Sequence, residues 1–230
     1  MQKRRTIYFD DARHFYLWNF EPPMDLRDAW VPVDQVAGTA IDTFIYGVAR
    51  NDGLFYDTKA STMFGSNVNT FDSHYAWRAH QCLNSLVERG LSPLKVLIDR
   101  AHDKNMEFIA SLRLGEYASM PKQWSTRQGG QGWVHKEVRD HLMGIVRELA
   151  TDHPTDGVEL DFAAPPGGTA HCLLEEDREE HGHVIPEFLD KAADIVRNRP
   201  TDAGVIGARV YPTQQIKLDG GYDVRARLQG

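Results

Sequence analysis

The chemistry-bearing residues of this chain concentrate at the ends of short apolar segments. Asp156-Gly-Val-Glu-Leu-Asp161-Phe162 is the most specific of these. Side chains alternate across a strand, so Val158, Leu160 and Phe162 share one face while Glu159 and Asp161 share the other. The same alternation sets Ile109, Ser111 and Arg113 against Phe108, Ala110, Leu112 and Leu114, and Gly207, Arg209 and Tyr211 against Ile206, Ala208 and Val210. If the apolar faces pack on helices, Arg113, Asp161 and Arg209 converge at one end of a sheet. An aspartate between two guanidiniums is held ionised by opposite charge, which suits a nucleophile, base or substrate-orienting group. Glu159 lies one layer deeper, and Glu116 follows the third strand as a more exposed acid. Asp10 and Asp11 end the first strand, one facing the rim and the other capping the turn; Asp10 is counted among the candidate catalytic partners. The competing reading is that Arg113, Asp161 and Arg209 form a buried charge network that closes the sheet end.

The elements that must position these groups alternate strand and helix. Strands are expected at Thr6–Phe9, Ile41–Val48, Glu107–Leu114, Gly157–Phe162 and Gly204–Tyr211, all rich in β-branched or aromatic residues. A short helix is expected around Val33–Ala37, since Pro32 permits no longer one, and a long polar excursion over Ala49–His74. Apolar stripes predict helices over Trp77–Arg89, from Pro93 (Leu94, Leu97, Ile98, Ala101), over His135–Ala150 and over Pro186–Asn198. Alternation of this kind implies parallel strands with right-handed crossovers. An open doubly wound sheet and a (β/α)8 barrel both fit. The absent G-x-G-x-x-G, the long loops after strands and the polar residues at strand ends favour an α/β, TIM-type parallel (β/α) barrel. About five strands are visible where a complete barrel has eight over ~250 residues. Residues 1–230 therefore read as one barrel-like catalytic domain, short of its last three strands at the C-terminal end. Its exposed edge strands would favour pairing with a second copy.

The loops after the strands carry most of the large aromatics: Tyr16, Trp18 and Trp30; Phe55, Tyr56, Phe64, Tyr75 and Trp77; Tyr117, Trp124 and Trp133. Flat rings stack on the apolar faces of sugars, so Trp18, Trp124 and Trp133 are candidate substrate platforms, and Tyr46 on strand two is a candidate hydroxyl donor. The plainer explanation is that long loops need small cores of their own.

Here the sequence resembles the glycoside-hydrolase-like TIM barrels of the family-10-like group, found widely in bacteria. The resemblance rests on D-G-[VI]-x-[LF]-D-[FY] at residues 156–162 followed by Ala163-Ala-Pro-Pro-Gly-Gly, on Val33–Tyr46, and on Ile98–His102 with Phe108–Arg113. It implies a carbohydrate substrate, glycosidic cleavage by carboxylate acid/base chemistry and no cofactor. Two features depart from the pattern: Ala163 stands where an arginine commonly follows the strand-four aromatic, and the later strands that usually supply a second carboxylate are missing.

Other chemistries have weaker signals. His171, His181 and His183 lie in an acidic loop that could bind a divalent metal, as in a metal-assisted hydrolase, but the spacing fits no closed zinc pattern. An esterase would want G-x-S-x-G, which is absent. Cys82 and Cys172 have no CxxC spacing and read as unreactive, Cys82 half-buried in a helix. Gly129-Gly-Gln-Gly132 lacks the lysine of a phosphate loop. A non-catalytic, sugar-binding or self-associating partial barrel is the third reading. Over 230 residues, 26 Lys plus Arg against 33 Asp plus Glu leave a formal charge of −7, the wrong sign for a nucleic-acid binder. No apolar run approaches the ~20 residues of a membrane span. As written the chain reads as soluble and cytoplasmic, or as secreted or periplasmic if a leader has been removed.

Overall fold

The computed structural model describes residues 5–12, 19–50, 53–115, 120–126, 130, 132–163 and 173–210. Strands β1 (Ile7–Asp11), β2 (Thr43–Gly47), β5 (Glu107–Arg113), β6 (Gly157–Asp161) and β7 (Val205–Arg209) form one parallel sheet in the order β1-β2-β5-β6-β7. Sequential parallel order, with helices between successive strands, is the path of an unclosed TIM-type (β/α) barrel.

Each expected strand is present, shifted by a residue or two at its ends. The helices are α1 (Leu26–Asp34), α2 (His74–Glu88), α3 (Pro93–Asp103), α4 (Lys136–Thr151), α5 (Arg178–His181) and α6 (Val184–Arg197). The first departs from expectation: it begins seven residues before Val33 and contains Pro32. Asp25 caps it in a reciprocal box with Asp28, and Pro32 falls close enough to its end to remove one hydrogen bond without breaking it. Arg100 of α3 then locks it in place, donating to Asp34 through Nε at 2.7 Å and lying 4.5 Å over the Trp30 ring.

The expected polar excursion after β2 is instead folded. Ala49–Arg50 (β3) and Gly53–Leu54 (β4) pair antiparallel, and Phe55 and Phe64 stack at 4.9 Å in the buried core. Glu148 of α4 anchors this segment. Its buried carboxylate accepts from Tyr56 Oη (2.8 Å), Thr58 Oγ1 (2.6 Å) and the backbone N–H groups of Lys59 (2.5 Å) and Ala60 (3.3 Å). Such charge-assisted bonds compensate the burial of the carboxylate. The aromatics here supply a local core, as long loops require.

One face of the main sheet packs on the helices through Phe44, Tyr46, Phe108, Ala110, Leu112, Val158, Leu160 and Phe162. The opposite face carries the polar residues. Among the described residues no helix is long and apolar enough to cross a membrane.

Candidate active site

Strand register stacks the inner face in layers. Phe9, Ile45, Ile109, Gly157 and Val205 are in-register neighbours and form an apolar floor. Above them come Asp11, Gly47, Ser111, Glu159 and Gly207, and at the C-terminal end Arg113, Asp161 and Arg209. The glycines at 47 and 207 leave room in the middle layer for longer neighbours.

The register therefore brings Arg113, Asp161 and Arg209 side by side, as alternation demands. Arg113 donates through Nη2 to Asp11 Oδ2 at 2.8 Å, and Arg209 donates through Nη2 to Glu159 Oε1 at 2.8 Å. Ser111 Oγ donates to the same Glu159 oxygen at 2.8 Å. Both arginines thus reach down one layer to a carboxylate. Asp161 accepts the backbone N–H of Ala163 through Oδ1 at 2.9 Å and is only 2% exposed. This bond forms a local Asx-type turn at the end of β6. Glu159 belongs to the cluster, because Arg209 descends to meet it.

Asp11 is the first-strand carboxylate that joins this network, and alternation sends Asp10 to the helix side, in register with Tyr46. Burial, and then the adjacent Asp11 charge, push the Asp10 carboxyl up to about 7. A carboxyl that holds its proton near neutrality is what general-acid catalysis needs, yet this one sits on the face away from the cluster. Tyr46, the candidate hydroxyl donor, lies on that same helix-side face. It is fully buried, with rings of Phe44 and Phe108 at 6.4 and 6.1 Å, because it shares parity with the helix-packed residues.

The aromatic platforms divide three ways. Trp18 and Glu116 lie outside the described residues, as do Tyr16, Tyr117, His171 and Cys172. Trp124 is half-buried in a 3-10 turn against the core. Trp133 is fully buried between Phe162 and Phe188, at 6.1 and 5.0 Å, and offers no face to a ligand. Among the described residues its indole N–H has no hydrogen-bond partner. Among the described residues, Trp77 and Tyr75 are the aromatics that stand out into solvent.

His181 ends α5 and His183 caps the start of α6; His181 Nε2 is 3.9 Å from Glu180 Oε1. Among the described residues no three His, Cys, Asp or Glu side chains cluster so as to hold a metal ion. Cys82 is fully buried, deeper than the expected half-burial, and burial pushes its thiol up to about 11, which leaves little thiolate for nucleophilic chemistry.

An unclosed parallel barrel with paired carboxylates and arginines at its strand ends belongs to the TIM-type α/β class. No protein-family profile and no curated protein matches the chain. Solved structures do. A hypothetical protein from Ruminiclostridium thermocellum superposes with a TM-score of 0.53 at 16% identity, over 88% of this chain and 96% of that one. Alpha-L-fucosidase isoenzyme 2 from Paenibacillus thiaminolyticus gives 0.60 at 10% identity, over 96% of this chain and 35% of that one. The galactosidase domain of an alpha-galactosidase-sucrose kinase gives 0.54 at 11% identity, over 96% and 28%. The chain spans about a third of the fucosidase it resembles and nearly all of the hypothetical protein. It has the fold found in TIM-barrel glycoside hydrolases.

Proposed function

We propose that the chain is a glycoside-hydrolase-like domain that acts on glycosidic bonds by carboxylate acid/base chemistry. The observation that carries this reading is the inner-face ladder, in which Asp11, Glu159 and Asp161 stand beside Arg113 and Arg209 at the C-terminal strand ends. That is where TIM-type folds place their catalytic residues. The resemblance of residues 156–162 to the family-10-like barrels and the likeness to fucosidase and galactosidase folds support the same class.

In this reading Asp161 is the central carboxylate, and Glu159 is its partner from the layer below. Asp11 joins Glu116 as a candidate for the second role, while Asp10, a candidate from the sequence, lies on the opposite face of the sheet. Arg113 and Arg209 orient the acidic groups and bind hydroxyls of the sugar. The separation of the two reacting carboxylates sets the outcome: ~5–5.5 Å gives retention and ~6.5–9.5 Å inversion. No bound cofactor enters the proposal. Pairing of two copies through the edge strands β1 and β7 is part of it, supported by Ile7, which is 54% exposed at the start of β1.

A panel of chromogenic glycosides tests the reading. Turnover of at least one is expected, with Asp161→Asn lowering kcat by ~10³-fold or more and Glu159→Gln lowering it less. Absence of turnover across the panel, or an Asp161→Asn enzyme as fast as the parent, would refute it.

A further inference from the structure

A second feature with ligand-binding character lies where the segment after β4 meets α2. It is an open groove of about 470 Å³, lined among others by Asn69, Phe71, His74, Trp77, His80 and Gln81. That volume falls within the range of ligand sites. Trp77 is 46% exposed here, and His74 stacks on the equally exposed Tyr75 at 4.7 Å.

The lining carries no Asp, Glu, Lys or Arg among its ten residues. In a chain that is 26% charged, ten positions would hold two or three such residues, and a groove at the surface more. A phosphorylated ligand or a nucleic acid would require Lys or Arg, and an anionic membrane would require a basic cluster. What the groove offers instead is an indole face, amides from Asn69 and Gln81, and hydroxyls from Thr70 and Ser73. That combination suits a ligand with apolar C–H faces and many uncharged hydroxyls.

The groove is also held in shape. His80 Nδ1 donates to the Phe64 carbonyl at 2.9 Å, and its ring lies 5.2 Å from that of Phe71. Gly65, at φ +79°, makes this fit: a Cβ there would lie 2.5 Å from His80 Nδ1.

We propose that this groove binds a neutral oligosaccharide, with Trp77 as the stacking platform. The ligand class follows from the lining and does not require turnover at the strand ends. The test is isothermal titration of the Asp161→Asn protein with maltohexaose, cellohexaose, xylohexaose and mannohexaose, with polygalacturonate as the charged comparison. At least one neutral hexaose is expected to bind. Trp77→Ala should weaken it tenfold or more, and Trp77→Phe only a few-fold, since a smaller ring still stacks. Trp77 is half-exposed, so both variants should melt with the parent. No binding by any neutral hexaose, unchanged affinity in Trp77→Ala, or tighter binding of polygalacturonate would each overturn the proposal. So would a dimer that Trp77→Ala dissolves in sedimentation, which would assign the groove to a second copy. Trp77-dependent binding without any glycoside turnover would support this site and count only against the strand-end reading.

Discussion

The guanidinium carbon of Arg209 lies 3.9 Å from the centroid of the Phe9 ring, although these residues belong to the two edge strands of the sheet. In a flat sheet, four gaps of about 4.8 Å would hold those edges about 19 Å apart. The contact therefore reports strong curling, and it places the inner-face side chains of β1 and β7 in one small space. Curling is what turns a row of charged residues into a cluster.

If these side chains meet in this way, Arg209 and Phe9 are energetically coupled. Arg209→Ala loses both the ring contact and the bond to Glu159 and should cost roughly 1–3 kcal/mol. A double-mutant cycle with Phe9→Leu, read by urea denaturation, should give a coupling of about 0.5–2 kcal/mol. Strictly additive variants would mean that the sheet is flatter in solution.

Strands β6 and β7, neighbours in the ladder, approach closely at Gly157, where a Cβ would lie 2.1 Å from the carbonyl oxygen of Val205. Backbone cannot yield as a flexible side chain does, so Gly157→Ala should cost about 3 kcal/mol or more. Gly207→Ala is the control, because its Cβ would meet only Glu159 carbons at 3.9 Å or beyond. Thermal unfolding should separate the two variants clearly; equal melting temperatures would contradict the packing.

Asp10 gives stability a definite pH dependence. Its carboxyl is raised to about 7 from an ordinary 3.8, by burial and then by Asp11. Between those values the folded chain keeps a proton that the unfolded chain has released. The Asp10 contribution is thus intact below about pH 4, falls as pH rises toward 7, and is flat above it. Asp10→Asn removes this loss. It should match the parent near pH 4 and exceed it at pH 8 by on the order of 2 kcal/mol, after discounting for partial exposure. Urea unfolding at the two pH values checks this, and a constant difference between them would be inconsistent with a raised carboxyl.

Trp133 is a core residue whose indole N–H finds no partner among the described residues. Trp133→Ala should cost about 3–5 kcal/mol. Trp133→Phe should cost much less, since it keeps most of the contact with Phe162 and Phe188 and removes a donor that has no acceptor. Neither change should act through ligand affinity. A Trp133→Phe protein that unfolds as readily as Trp133→Ala would show that the N–H is satisfied in solution.

Much of this molecule is determined locally. The strand order, the helix stripes and the shared face of Arg113, Glu159, Asp161 and Arg209 follow from alternation with period two and from apolar spacing near 3.6, both properties of neighbouring residues. Asp11 and not Asp10 is the cluster's first-strand member, but that needed the register of β1 on β2, which local sequence leaves open by one residue. The partners of the two arginines also needed the fold. Asp11 and Arg113 are far apart in sequence, and which carboxylate each guanidinium reaches depends on how tightly the sheet curls. Tertiary packing likewise sorted the aromatics. Trp133 and Trp77 both fall near the start of a helix, yet the first is sealed between Phe162 and Phe188 while the second faces water. Residue type sets what a ring can do; only the surrounding elements determine whether anything can reach it.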